Sequence, residues 1–258
     1  DEENQFKVYS SIVEKFDKDS SIIIRTLDIG ADKQLPYFKM KNETNSFLGL
    51  RGIRFSLQNQ DIFITQLKAI LRAAYNRNVK IMYPMVTNIS ELREANKLLE
   101  RAKEELKEEN KLYKEDIEIG VMIEVPSIVM MADVFAQEVD FFSIGTNDLT
   151  QYILATDRLS ETVSSMYDCY NPAVLRSIAF VKKAADLYGK KVSVCGEMAG
   201  DAKAIVAFLS MGIKDLSMVG TSILTARSLI RSLNYEKLKE IKEKILLLMR
   251  PIIDWKFL

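Results

Sequence analysis

Apolar and polar positions along the chain follow two patterns, one typical of buried strands and one typical of amphipathic helices. Short apolar runs predict strands, and longer stretches with apolar residues three and four positions apart predict helices. Because the two kinds of element alternate, the pattern favours parallel β-α units. Seven strands are predicted, at 21–28, 50–54, 79–83, 119–124, 140–145, 191–196 and 215–218.

Helices are predicted between these strands and near both ends of the chain. The longest extends from Ile89 to about Tyr113, and its glutamate and lysine residues form a charged face. Such a face is most simply one that is exposed to solvent. Other helices are predicted within 1–19 and at 60–76, 172–188, 201–211, 221–232 and 235–249.

The order of the elements predicts an α/β fold of the (β/α)₈ TIM-type barrel class. A chain of 258 residues has the usual size for such a barrel, and 48% of its residues are hydrophobic. A barrel needs eight strands, so either one strand is missed or the chain begins inside the barrel. The leading helix favours the second answer. We therefore expect one barrel domain over residues 1–258 that lacks its first strand.

Charge and cysteine content exclude several classes of protein. Lysine plus arginine equals aspartate plus glutamate at 36 each, which argues against a nucleic-acid partner. Cys169 and Cys195 are the two cysteines, and with no signal peptide they fit a reduced, cytoplasmic location. No apolar run reaches the length of a membrane span, so we expect no membrane association.

The chain contains no histidine. Histidine usually serves as a general base, a metal ligand or a phosphoryl acceptor, so none of these roles can be filled by histidine within this chain. Its chemistry must use carboxylates, arginine, lysine, cysteine or a metal. A histidine, if the reaction needs one, must come from elsewhere.

Polar residues stand at the C-terminal ends of several predicted strands. In a TIM-type barrel the active site forms at these ends. A single polar residue there often only caps the next helix, but a polar group at so many ends is hard to explain as capping. In chain order the residues are Arg25 with Asp28 and Lys33, Arg51 with Arg54, Glu124, Asn147 with Asp148, and Cys195 with Glu197.

Four of these side chains suit a metal-bound anion. Glu124 and Asp148 are hard oxygen ligands of the kind that Mg²⁺ prefers, although Glu124 could instead pair with a neighbouring cation. Asn147 can donate to an oxyanion, although it could also only cap a helix. Cys195 can protonate an enolate or attack as a nucleophile, or it can be a small core residue.

Basic side chains near the same ends can recognise phosphate and carboxylate groups. They are Arg25, Lys33, Arg51 and Arg158. Arg51 and Arg54 could instead form structural ion pairs. On the first interpretation, the ligand is a small anion that carries phosphate and carboxylate and is chelated to a metal.

Several motifs resemble enzyme I of the bacterial phosphotransferase system, and they follow that family's order over nearly the whole chain. The resemblance is to the C-terminal, phosphoenolpyruvate-binding barrel domain of the family. The motifs are RTLDIGADK at 25–33, FLGLRGIR at 47–54, GVMIEVP at 120–126, FFSIGTNDLTQY at 141–152 and SVCGEMAGD at 193–201.

The resemblance implies a role for each candidate residue. Glu124 and Asp148 would hold Mg²⁺. Cys195 would protonate the methylene carbon of enolpyruvate as pyruvate forms. The residues that would bind phosphoenolpyruvate are Arg25, Lys33, Arg51, Asn147, Asp148 and Arg158.

The resemblance also implies partners outside this chain. Enzyme I is a transferase that moves a phosphoryl group from phosphoenolpyruvate to a histidine on a separate N-terminal domain, and then to the carrier protein HPr for sugar uptake. That domain is absent from this sequence, and the family's first barrel strand would precede Asp1, so we expect no full activity from the chain alone. Family members dimerise through this domain, which implies a homodimer.

Two other interpretations stay open. The related barrel of pyruvate phosphate dikinase or phosphoenolpyruvate synthase shares fold, metal and substrate, and dependence on ATP rather than HPr would distinguish it. Alternatively, the chain is a catalytically silent binding or dimerisation module, because the acceptor histidine and the first strand are missing.

Overall fold

A computed structural model describes residues 1–30, 45, 47–234, 236–238 and 244. The chain divides into two compact units, Asp1–Met122 and Ile123–Leu258. The first unit contains, in chain order, helix α1 (Glu2–Val13), strand β1 (Ile22–Arg25), α2 (Ile53–Gln58), α3 (Gln60–Ala73), β2 (Val79–Tyr83), α4 (Ile89–Glu108) and β3 (Glu118–Ile123), which ends at the boundary.

The second unit continues the alternation of helices and strands. Short 3₁₀ turns at Ser164–Met166 and Glu197–Gly200 lie in its connections. Its helices and strands are α5 (Pro126–Met130), α6 (Ala132–Ala136), β4 (Phe141–Gly145), α7 (Thr146–Leu154), α8 (Pro172–Leu187), β5 (Lys191–Cys195), α9 (Ala202–Ser210), β6 (Asp215–Leu216) and α10 (Gly220–Ser232).

Strands in each unit pair parallel and in chain order. In the first unit β2 pairs with β1 and with β3, and in the second unit β5 pairs with β4 and with β6. β2 and β4 are buried along their whole length, as expected for parallel strands covered on both faces. This arrangement confirms the predicted α/β class with parallel strands, and it is consistent with part of a TIM-type barrel. The single barrel domain over 1–258 stays a prediction.

The strand predicted at 50–54 is wrong, and the described residues contain six strands rather than seven. Ile53 begins helix α2 instead. Gly52 precedes it at φ +57°, a conformation outside the strand region that glycine adopts without steric cost. The amides of Gly52 and Ile53 donate to the carbonyls of Ile29 and Pro84 at 3.3 and 3.2 Å, so neither joins a strand ladder.

The predicted helices are confirmed wherever the structure describes them. α4 begins with a capping box in which the Asn88 side chain accepts from the Glu91 amide, and it ends at Glu108, earlier than predicted. The helix predicted at 235–249 is described only at 236–238 and 244, so most of it lies outside the described residues.

The charged face of α4 is not wholly exposed to solvent. Lys68 on α3 is buried, and its ammonium group contacts Glu109, Glu2 at 3.3 Å and Glu105 at 3.4 Å. Burial alone would lower the pKa of Lys68, but its hydrogen bonds and charge interactions with Glu109 and Glu2 outweigh burial and raise it. Part of the charge pattern therefore joins α1, α3 and α4.

A neighbouring arginine fixes α1 further. The guanidinium of Arg72 bonds to Glu2 at 2.5 Å and to Glu3 at 2.9 Å, and it lies over the ring of Phe6 at 4.0 Å. Burial tends to raise the pKa of Glu2, but hydrogen bonds from Lys111 and Arg72 lower it overall. Glu2 is therefore ionised more readily in the folded chain than in the unfolded one.

Replacing Glu2 tests this network. Because its pKa is lowered on folding, its stabilisation is present above the ordinary value of 4.5 and is lost as pH falls through the lower, folded value. Glu2→Gln is expected to reduce the free energy of unfolding at pH 7 by about 1 kcal/mol, and to make stability less dependent on pH below about 4.5. Urea unfolding followed by circular dichroism measures both effects.

Glu100→Gln is the matched control, since Glu100 pairs with Lys103 at 2.8 Å on the exposed face of α4. An exposed pair contributes little, so its loss should be small. Equal losses for the two variants would mean that the network around Glu2 adds no stability beyond that of an ordinary surface pair.

Candidate functional site

In the first unit, two of the predicted arginines meet on one carboxylate. Asp28 accepts from Arg25 Nη1 at 2.8 Å and from Nε and Nη2 of Arg51 at 3.0 and 3.1 Å. The side chain of Asp28 is 2% exposed, that of Arg51 12% and that of Arg25 41%. Guanidinium groups suit the recognition of phosphate and carboxylate, and the Arg25 side chain remains partly exposed.

A glycine lets the arginine loop approach closely. A Cβ atom on Gly52 would lie 2.6 Å from Met85 Cβ and 3.3 Å from Asp28 Oδ1, and the positive φ of Gly52 also disfavours any other residue. The guanidinium of Arg51 lies 5.8 Å from the centre of the Phe47 ring, within cation–π range. The position of Arg51 is thus fixed from more than one side.

The other basic residues of this region differ from Arg25 and Arg51. Arg54 lies in α2, where it donates to the carbonyls of Leu48 and Gly49 at 3.4 Å and lies 3.9 Å from Glu91. These contacts favour the structural interpretation of Arg54. Lys33 lies outside the described residues.

In the second unit, the parallel register brings two candidate segments side by side. Gly145, the last residue of β4, lies opposite Cys195, the last residue of β5. Just beyond them, the buried Thr146 hydroxyl donates to the Cys195 carbonyl at 3.0 Å. The Glu197 amide donates to Asn147 Oδ1 at 3.2 Å.

Asn147 is positioned through both its main chain and its side chain. Tyr167 donates from its hydroxyl to the Asn147 carbonyl at 3.2 Å, and burial raises the pKa of Tyr167, which keeps that hydroxyl protonated. Because Asn147 Oδ1 already accepts from Glu197, its Nδ2 is the side-chain atom oriented as a donor. This arrangement suits an oxyanion.

Two carboxylates of this unit suit a magnesium ion. Glu124 follows β3 directly and is 1% exposed, and Asp148 lies in the first turn of α7. Mg²⁺ is often bound by one or two carboxylates together with water and substrate oxygens, so two such ligands fit it. In the part of the chain that the structure describes, no group of three or more acidic or cysteine side chains is arranged to hold a metal by itself.

Arg158 lies beside Glu197, which follows β5. Its Nη1 lies 3.5 Å from Glu197 Oε1, and its main-chain amide donates to Gln151 Oε1 at 3.2 Å. The Nε atom of Arg158 is buried and has no hydrogen-bond partner among the described residues. A buried donor without a partner costs free energy, and binding an anion would remove that cost.

The two cysteines have different surroundings. Cys195 is partly exposed, and its Sγ lies 3.4 Å from the Ile144 carbonyl and 3.6 Å from Ser143 Oγ, distances that fit weak hydrogen bonds to sulfur. Burial, together with the charge of Asp168, raises the pKa of Cys169 to about 11, so this thiol stays protonated and unreactive. A partly buried, protonated thiol of this kind is consistent with a structural role for Cys169.

Sequence reasoning missed three residues that organise these sites. Thr146 joins the ends of β4 and β5, Tyr167 holds the main chain of Asn147, and Asp28 was noted as polar but given no role. The tyrosine follows a long connection, so no local pattern indicates its contact. A threonine directly after the strand glycine was the one available signal for Thr146.

Comparison with known proteins identifies the family. The model of the family described as "PEP-utilising enzyme, PEP-binding domain" matches residues 1–235, and the chain belongs to this family. Named relatives agree with the resemblance to enzyme I. The chain is 49% identical over 245 residues to phosphoenolpyruvate-protein phosphotransferase of Bacillus subtilis (strain 168), covering 95% of this chain and 43% of the relative.

Two further relatives carry the same name. Those of Staphylococcus carnosus (strain TM300) and Priestia megaterium are 50% and 52% identical, over 94% and 90% of this chain and 42% and 40% of their own lengths. The chain thus spans less than half the length of these relatives. A solved structure of Haloferax volcanii malate synthase has a TM-score of 0.53 at 14% identity, over 93% of this chain and 65% of that one, a likeness of fold alone.

Gly196 provides a test of the close approach between the two strand ends. It has φ +93°, and a Cβ atom there would lie 2.6 Å from Thr146 Oγ1 and 3.0 Å from Asn147 Oδ1. Gly196→Ala is therefore expected to lower the free energy of unfolding by about 2 kcal/mol or more, through backbone strain and steric overlap together. Thermal and urea unfolding of the purified variant measure the loss.

Gly189→Ala is the matched control. Gly189 has φ +65°, but a Cβ atom there meets nothing within 4 Å, so only backbone strain of about 1 kcal/mol is expected. If the two variants lose the same stability, the contact of Gly196 with Thr146 and Asn147 is not tight.

Proposed function

We propose that this chain is the phosphoenolpyruvate-binding and pyruvate-forming domain of a phosphoenolpyruvate-protein phosphotransferase. The observation that carries the proposal is the contact between the ends of β4 and β5, where an amide donor and a thiol lie on adjacent chain segments. An amide N–H can bind an oxyanion of the ligand, and a thiol can protonate its enolate carbon. Family membership and the names of the relatives support the same conclusion.

Phosphoenolpyruvate carries a phosphate and a carboxylate, and arginines bind both groups well. In the first unit, Arg25 and Arg51 are proposed to bind it, with Lys33 as a further cation of the same motif. In the second unit, Arg158 has a buried donor to offer, and Asn147 presents its Nδ2. Asp148 is proposed to contact the substrate as well.

Glu124 and Asp148 are proposed to hold Mg²⁺. When bound, the ion would neutralise negative charge on the phosphoryl and enolate oxygens. Asp148 lies in the first turn of α7, where the helix dipole favours negative charge, and Glu124 supplies a carboxylate at the end of β3.

Cys195 is proposed to protonate the methylene carbon of the enolate, which is the last step in the formation of pyruvate. Transfer of the phosphoryl group leaves the enolate of pyruvate, whose methylene carbon needs a proton. The Sγ–H bond of Cys195 breaks, the proton forms the new C–H bond of the methyl group, and the electron pair stays on sulfur as a thiolate. Water then restores the thiol.

The remaining parts of the proposal concern the whole enzyme. A histidine on a separate N-terminal domain would accept the phosphoryl group and pass it to HPr in sugar transport, and the enzyme would be a cytoplasmic homodimer. In the described residues no helix combines the length and apolarity needed to cross a membrane. The names of the relatives favour this reading over a dikinase or phosphoenolpyruvate synthase.

Calorimetric titration with phosphoenolpyruvate, with and without Mg²⁺, tests the binding proposal. The chain should bind more tightly with Mg²⁺, and Asp148→Ala should lose that gain, about tenfold or more, because a ligand of the ion is removed. Asp186→Ala is the control, since Asp186 is exposed on α8 and pairs with Lys182. Binding that ignores both Mg²⁺ and Asp148 would contradict the metal assignment.

Exchange of the methyl protons of pyruvate with deuterium, followed by NMR, tests Cys195 separately, because exchange reverses the protonation step. Cys195→Ala should keep phosphoenolpyruvate affinity but lose exchange by about a hundredfold or more. Cys169→Ala is the control and should exchange normally, since its thiol has a pKa of about 11. Undiminished exchange by Cys195→Ala would exclude it as the proton donor.

A further inference from the structure

We infer that Asp28 is a positioning residue, which holds the guanidinium groups of Arg25 and Arg51 in a fixed pair ready to bind an anion. The inference rests on the proposed function of these two arginines. No role is assigned to Asp28 by the family description or by the names of the relatives.

The contacts of Asp28 are those of an organising group. Its buried carboxylate receives two parallel bonds from Arg51 and a third from Arg25, all between 2.8 and 3.1 Å. Bidentate pairing fixes the plane as well as the position of a guanidinium. Arg25 keeps a more exposed side chain than Arg51, so it is the better placed of the two to meet a ligand from solvent.

The loop itself is held in place before any ligand binds. The Thr26 amide donates to the Met82 carbonyl at 3.0 Å, and the Leu27 amide donates to Gln66 Oε1 at 3.0 Å. Gly52 allows the Arg51 segment to approach Asp28. A carboxylate fixed in this way lowers the entropy that the arginines lose on binding substrate.

A positioning role and a purely electrostatic role predict opposite results. A carboxylate beside two arginines repels an anionic ligand, so if charge alone mattered, Asp28→Asn would tighten phosphoenolpyruvate binding. If Asp28 positions the arginines, the same variant should weaken binding by about tenfold or more, because the pair loses its geometry. The sign of the change in affinity therefore separates the two roles.

The experiment is a phosphoenolpyruvate titration of the chain, at constant salt and Mg²⁺, for wild type, Asp28→Asn, Asp28→Glu and Arg25→Met. Asp28→Glu keeps the charge but not the length, so it should also bind more weakly. Glu118→Gln is the control, since it neutralises an acid that pairs with Lys80 at 2.6 Å at the opposite end of the strands. It should leave affinity unchanged.

Unchanged or tighter binding by folded Asp28→Asn would overturn the inference. If wild type does not bind, or Arg25→Met binds as well as wild type, the proposed function of the arginines fails instead. Relaxation of the arginine Nε signals in ligand-free wild type gives a test that needs no variant to fold. Arg51 should be ordered relative to the exposed Arg231, and equal mobility of the two would overturn the inference.

Discussion

Parallel register is the constraint on which the second unit depends. Because Gly145 lies opposite Cys195, the chain segments that leave β4 and β5 continue side by side. Polar groups that directly follow the two strands therefore contact each other, although they are far apart in sequence. Gly196, which follows Cys195, then leaves room for the side chains of Thr146 and Asn147, with which a Cβ atom would overlap. Strand pairing, buried threonine and glycine together set the geometry of Asn147 and Cys195.

Ion pairs in the first unit serve two different purposes. Lys68 and Arg72 form ion pairs with acidic side chains, and these pairs join three helices. The lowered pKa of Glu2 indicates that the ion pairs stabilise the folded chain. Around Asp28, two arginines bond to one buried carboxylate, and the side chain of Arg25 remains partly exposed. The first arrangement stabilises the packing of helices, whereas the second fixes a guanidinium at a position that solvent can reach.

Much of the fold and of the candidate site could be predicted from the sequence. Alternating periodicity predicts helices and most strands, because burial on both faces leaves a clear apolar run. It fails at 50–54, where a short apolar segment between glycines is equally compatible with a loop and the start of a helix. Strand-end position and residue type indicated Asn147 and Cys195, but the contacts that hold them depend on tertiary structure.

On the proposed function, the absence of histidine divides the chemistry in a definite way. Phosphoryl acceptance requires a nucleophilic nitrogen from elsewhere, so this chain must bind the substrate and deal with the enolate that remains. A thiol suits that second task, since it can stay protonated at neutral pH and still give its proton to carbon. The Sγ of Cys195 lies 3.4 Å from the Ile144 carbonyl, which can accept the thiol proton, and 3.6 Å from Ser143 Oγ, which can donate to the sulfur. The thiol before proton transfer and the thiolate after it therefore each have a hydrogen-bond partner at this strand end.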